Sequence, residues 1–164
     1  MNAEILSTMS DADLMARLVE LVREERRMTA AVLLHLAEVE ARGLHRPAAC
    51  SSMHVYCTRV LGMSDDPAFK RIRAARAMRR YTAVARAVED GRVHLAGVVL
   101  LAPHLGDENA DELVVEASGK SKAEIEVLLA RRAPRADVAE RLDQVAQQTD
   151  LAPGLTFPRE MAMR

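Results

Sequence analysis

Lys70, Arg73, Arg76 and Arg80 recur at intervals of three and four residues, a spacing that gathers them mostly on one face of a helix. Cations set out in this way can neutralise successive phosphates of a duplex backbone, so the chemistry they suggest is DNA binding. Arg71, Arg79 and Arg86 are second-rank candidates for the same role. Any amphipathic helix carries its lysines and arginines on its wet side, and a solvated or protein-binding face is the competing explanation. The regional charge favours the first reading. Residues 42–92 hold eleven Lys/Arg against four Asp/Glu, a net of +7, whereas residues 1–40 net −4 and residues 104–130 net −5. A total of −1 therefore hides a polarised molecule with a local positive field. Asp65 and Asp66 at the leading end would repel phosphates, so contacts are expected from Lys70 onward.

The elements that must position these cations read as a helix-turn-helix-like pair. A first helix is expected from Ser52 to about Leu61, sharing Val55, Thr58 and Leu61 on one face. Gly62 suits the left-handed exit from it. Ser64 can cap the next helix, with Asp65 and Asp66 opposing its dipole and Pro67 fitting its first turn. From there Ala68, Ile72, Ala75, Met78, Ala85 and Val88 form a continuous apolar stripe.

Other side chains of potential chemical use are weaker. Cys50, His54 and Cys57, with His45 nearby, can in principle gather around zinc, but a spacing that straddles a loop–helix boundary matches no recognised zinc pattern. Cys57 reads better as helix packing, and neither cysteine needs a bridge. Glu108, Asp111, Glu112 and Glu116 form an acidic helical cluster that reads as solvated charge. Lys120 and Lys122 flank the start of a helix capped by Ser121, where an anion can meet free amides, although exposed lysines beside a loop are the ordinary explanation. His94 and His104 bracket an apolar segment without a catalytic partner. No Gly-rich phosphate loop, Gly-x-Ser-x-Gly elbow or HExxH occurs, so no catalytic residue, metal or cofactor is expected.

The frame around these residues is an all-α, multi-helix domain with a long amino-terminal helix. With 49% apolar but 2% aromatic residues, the core must be built from Ala, Leu, Val and Met, which suits helix packing and disfavours single-strand binding by base stacking. Ser10 caps a helix whose positions Leu14, Leu18, Leu21, Val32, Leu36 and Val39 continue almost to Gly43; it either crosses the domain buried or pairs with a second copy as a homodimer. Val93–Leu101 reads as a short buried helix, followed by helices over Asp107–Ala117 and Lys122 to about Ala133. The domain is expected over 1–135, with a weakly helical or disordered carboxyl-terminal arm over 136–164. No apolar run reaches the roughly 18 residues of a membrane span, which, with the absence of a signal-like amino terminus, reads as a cytoplasmic protein.

Several separated blocks also carry a resemblance: Gly43-Leu44-His45-Arg46-Pro47-Ala48-Ala49-Cys50-Ser51-Ser52-Met53, Tyr56-Cys57, Val60–Ser64, Arg71-Ile72, Gly91–Leu95, Leu101-Ala102-Pro103, Glu108-Asn109 and Gly119–Lys122. Over residues 10 to 138 their order resembles the amino-terminal helical region of bacterial HNH endonuclease-like proteins of the myxobacterial type. His54 stands where that pattern has an aromatic residue. The resemblance implies the targeting or assembly part of such a nuclease, either standing alone or cut short, with duplex DNA and a separate nuclease subunit as its candidate partners. The HNH motif lies further toward the carboxyl end in such proteins, and the five histidines and two asparagines here do not compose it.

Overall fold

The computed structural model describes residues 3–132. They form eight helices and no strand: α1 (Ala3–Ser7), α2 (Asp11–Ala41), α3 (Met53–Arg59), α4 (Asp65–Arg80), α5 (Thr82–Glu89), α6 (Leu95–Leu101), α7 (Ala110–Ala117) and α8 (Lys122–Arg132). Contacts divide the chain between Leu129 and Ala130, and the expected carboxyl-terminal arm lies outside the described residues.

Helix α2 begins where Ser10, in extended backbone, accepts the Asp13 amide, a capping bond typical of serine at this position. Its carboxyl-terminal half buries Ala30, Leu33, Leu36 and Ala37. Residues 11–20 are exposed at every position, so one helix is both a core element and a projecting one. The core closes around α4, which buries Ala68, Ile72, Ala74, Ala75, Ala77 and Met78. The small alanines let α2, α3, α5 and α6 approach it closely, and Leu33, Val84, Val98, Leu101, Leu113 and Ile125 fill the space between.

Local chemistry explains most boundaries. Gly62 leaves α3 at φ +66°, where glycine carries no Cβ penalty. Ser64 stands at the start of α4, but its hydroxyl makes no cap bond, so the dipole is met by Asp65 and Asp66 alone. Ser121 shares a reciprocal cap with Glu124: the Ser121 amide and hydroxyl donate to Glu124 Oε2 at 2.8 and 2.7 Å.

Two expectations need correction. The stripe expected to run from Ala68 to Val88 on one helix is broken at Tyr81, where extended backbone (φ −124°, ψ 106°) separates α4 from α5. The Tyr81 hydroxyl donates to the Leu105 carbonyl at 3.1 Å, a tertiary tie that turns the chain without glycine or proline. The helix expected from Asp107 starts at Ala110. Asn109 accepts the Gly106 amide at 2.7 Å and donates to the His104 carbonyl at 3.0 Å, holding these residues in a turn that competes with helix.

Candidate functional site

The cationic residues of α4 do not stand as one open ridge. Arg76 grips Glu40 of α2, Nε to Oε2 at 2.9 Å and Nη2 to Oε1 at 2.5 Å. Arg79 meets Glu38 at 3.3 Å and donates to the Ala37 carbonyl. Arg80 reaches Asp107 at 3.2 Å and lies 5.2 Å from the centre of the Tyr81 ring. Lys70 pairs with Asp66 one turn earlier at 2.5 Å. Arg73 and Arg86 have no carboxylate partner among the described residues. Phe69, 55% exposed, stands among the cations on the same side of α4.

These pairs shape the charge they hold. The Arg76 guanidinium lowers the Glu40 carboxyl below its ordinary range and is itself raised by that carboxylate. Glu38 is lowered chiefly by its bond to Arg42, with Arg79 adding to it. The acidic amino-terminal helix and the basic central helix are therefore stitched to each other, and Glu38, Glu40 and Asp107, all from outside residues 42–92, offset three of the regional +7.

Arg71 diverges from the other cations of α4. It lines a recess of about 490 Å³ between α2, α4, the α5–α6 link and the α7–α8 link, together with Arg26, Arg92, His94, Lys120 and one carboxylate, Glu25. By sequence Arg71 is a second-rank candidate, and Lys120 and His94 fall in separate segments. Their convergence is a product of packing, and the signal that could have found it is the glycine at 91. There the backbone has φ +70° and an added Cβ would lie 2.6 Å from Arg26 Nη1.

The remaining candidates are structural. Cys50 and Cys57 are buried free thiols, and burial, then Glu40, raises the Cys57 thiol. No group of three or more metal-ligating side chains gathers among the described residues. His54 lies 3.6 Å from Asp65 and links α3 to the start of α4. His45 is buried with Nδ1 unpartnered. Lys122 pairs with Glu126, and the α8 start is closed by its own cap, so an anion there would have to displace Glu124. No helix among the described residues is long and apolar enough to cross a membrane.

Several exposed apolar side chains lie on α2. Leu14, Leu18 and Met28 are 40%, 61% and 67% exposed, and with Leu21, Val32 and Val39 they follow alternating steps of four and three residues. This is heptad-like spacing, with Glu25 and His35 at two of its positions. Toward its carboxyl end the seam enters an apolar groove of about 330 Å³, walled on the far side by Tyr56 and Leu61 of the α3 region.

Comparison with known proteins returned no matching family model, no matching curated protein and no matching solved structure.

Proposed function

We propose that this chain is a helix-mediated assembly module that pairs with a second copy of itself through α2. The observation that carries the reading is the seam of Leu14, Leu18, Leu21, Met28, Val32 and Val39, whose amino-terminal part stands in water. An isolated helix of about 12–15 residues is marginal in water, and an apolar stripe of this length costs solvation unless another surface covers it. Parallel pairing would set Glu25 against Glu25 and His35 against His35 in the seam, so the arrangement is antiparallel. Arg17 and Glu24 flank the seam on the same side and pair within one chain at 3.5 Å. Serving as the helical part of an HNH endonuclease-like system in the cytoplasm, such a module would hold two nuclease units in a two-fold arrangement.

Duplex-DNA binding is a second reading, favoured by the net +7 of residues 42–92 and by Arg73 and Arg86. It is weakened by the carboxylates already seated on Lys70, Arg76, Arg79 and Arg80.

Sedimentation equilibrium over a concentration series separates the two. The wild-type chain is expected to form a dimer, and Leu14→Glu with Leu18→Glu is expected to leave a folded monomer, since both positions are exposed. A wild-type monomer at all concentrations, accompanied by salt-sensitive capture of a short duplex, would instead favour the DNA reading.

A further inference from the structure

We infer that the recess beside the middle of α2 is a phosphoryl-binding site. Its polar lining is almost entirely made of donors. Arg26 comes from α2, Arg71 from α4 and Lys120 from the α7–α8 link, three cations on three separate elements around one cavity. Arg92 joins them but is held by Asp90 through Nε and Nη2, both at 3.1 Å. Its positive charge is thereby matched in place. The His94 Nδ1 accepts the Gly97 amide at 2.9 Å, which leaves Nε2 as the nitrogen that carries the proton in the neutral ring and makes it a further donor.

Backbone amides contribute little, because they are already engaged. Gly119 donates to the Arg92 carbonyl at 2.7 Å, Arg92 and Val93 both donate to Ala87, and Lys120 donates to Ala117. Recognition must therefore come from side chains, and the ligand must supply acceptors. A carboxylate presents two coplanar oxygens, which one guanidinium fork satisfies. A phosphoryl group presents three acceptor oxygens spread in space, the form that cations from three directions match. Val22, Val88 and Val93 give the group that carries the phosphate an apolar bed.

The backbone makes room for Arg26 at this wall. Gly91 has φ +70°, and a Cβ there would sit 2.6 Å from Arg26 Nη1 and 2.7 Å from its Cδ. The exposed Arg26 side chain lies on the glycine backbone and has no ion pair among the described residues. Beyond it a second recess holds Arg23, Arg27, Glu89 and Asp90. Together the two recesses count Arg23, Arg26, Arg27, Arg71, Arg92 and Lys120 against Glu25, Glu89 and Asp90, an excess of three positive charges. The site is lined from within one chain and does not depend on pairing through α2.

The phosphoryl group can belong to a free phosphate ester or to a nucleic-acid backbone, and titration calorimetry of the full chain distinguishes them. The probes are adenosine monophosphate, adenosine, orthophosphate and a short blunt duplex. Adenosine monophosphate is expected to bind saturably, adenosine not to bind, and orthophosphate to compete. Arg71→Met and Lys120→Met are each expected to weaken binding at least about tenfold, while Arg59→Met, at the exposed end of α3, leaves it unchanged. Arg71 is half-buried, so Lys120→Met, in a loop, keeps the test valid if the first variant folds poorly. Displacement of the nucleotide by the duplex assigns the site to nucleic-acid phosphate, and failure of the duplex to displace it assigns the site to a free ester. Equal affinity for adenosine and its monophosphate, no binding of either, or indifference to both Arg71→Met and Lys120→Met would overturn the inference. The same titration on the Leu14→Glu, Leu18→Glu variant separates this outcome from failure of the dimer.

Discussion

Arg76 and Glu40 join the two longest helices of the fold: the Arg76 guanidinium closes on both carboxylate oxygens of Glu40, at 2.9 and 2.5 Å. Bidentate geometry fixes orientation as well as charge, and the pair sets the register of α4 against the carboxyl-terminal half of α2. It also explains why a helix rich in arginine lies against an acidic one: the contact is complementary where a free cationic surface would be repelled by its own density.

Acid sensitivity follows from this pair. Glu40 has its pKa lowered in the folded state from the ordinary 4.5, first by the Arg76 hydrogen bond. A carboxyl lowered on folding stabilises the protein in full above its unfolded value, and the contribution is lost as pH falls through the folded one. With Arg76 63% exposed and Glu40 28%, the pair contributes about 1 kcal/mol or less. Urea denaturation of wild type and Glu40→Gln should therefore differ by up to that amount at pH 7 and converge as pH falls from 4.5 through the lowered folded value. A difference that does not shrink as pH falls below 4.5 would sink the assignment.

Gly97 offers a test of how tightly the core behind α6 is closed. A Cβ at this helical position would approach Ile125 Cδ1 to 2.9 Å and Val93 Cγ1 to 3.1 Å, and both neighbours are buried, at 0% and 2% exposure. Alanine would gain about 1 kcal/mol of helix propensity, set against about 1–3 kcal/mol for overpacking. Gly97→Ala is expected to lower the melting temperature, and Gly97→Ala combined with Ile125→Val to recover part of the loss. If the single variant melts above wild type, α6 is packed more loosely than these distances state.

The helical frame was legible in the sequence because its signals are local. Ser10 and Ser121 cap the helices they precede, Gly62 takes the left-handed turn, and the absence of aromatics from the core forces alanine-lined helix contacts. The break at Tyr81 was not legible, since its cause is a hydroxyl bonded to Leu105, 24 residues away. Charge was misleading for the same reason. Periodicity shows that Lys70, Arg73, Arg76 and Arg80 share a side of α4, but it carries no information on Glu40 and Asp107, which meet Arg76 and Arg80. The recess at Arg71 lay deeper still, because Arg26, Arg71, His94 and Lys120 belong to four elements and only packing brings them to one cavity.

Charge reversal on α4 separates surface chemistry from structure, provided that the residue is chosen by its partner. Arg76→Glu sets a carboxylate against Glu40 across the α2–α4 contact, so it is expected to lower stability by about 1–2 kcal/mol, and any loss of DNA capture by it would report on the fold. Arg73→Glu has no carboxylate to oppose among the described residues and is expected to melt with wild type. That makes Arg73 the informative position for the duplex reading. A phosphate contact by Arg73 requires that its removal reduce the slope of log affinity against log salt by about one unit. Fluorescence anisotropy of a labelled duplex across a salt series measures that slope, and an unchanged value would remove Arg73, and with it the α4 face, from any nucleic-acid interface.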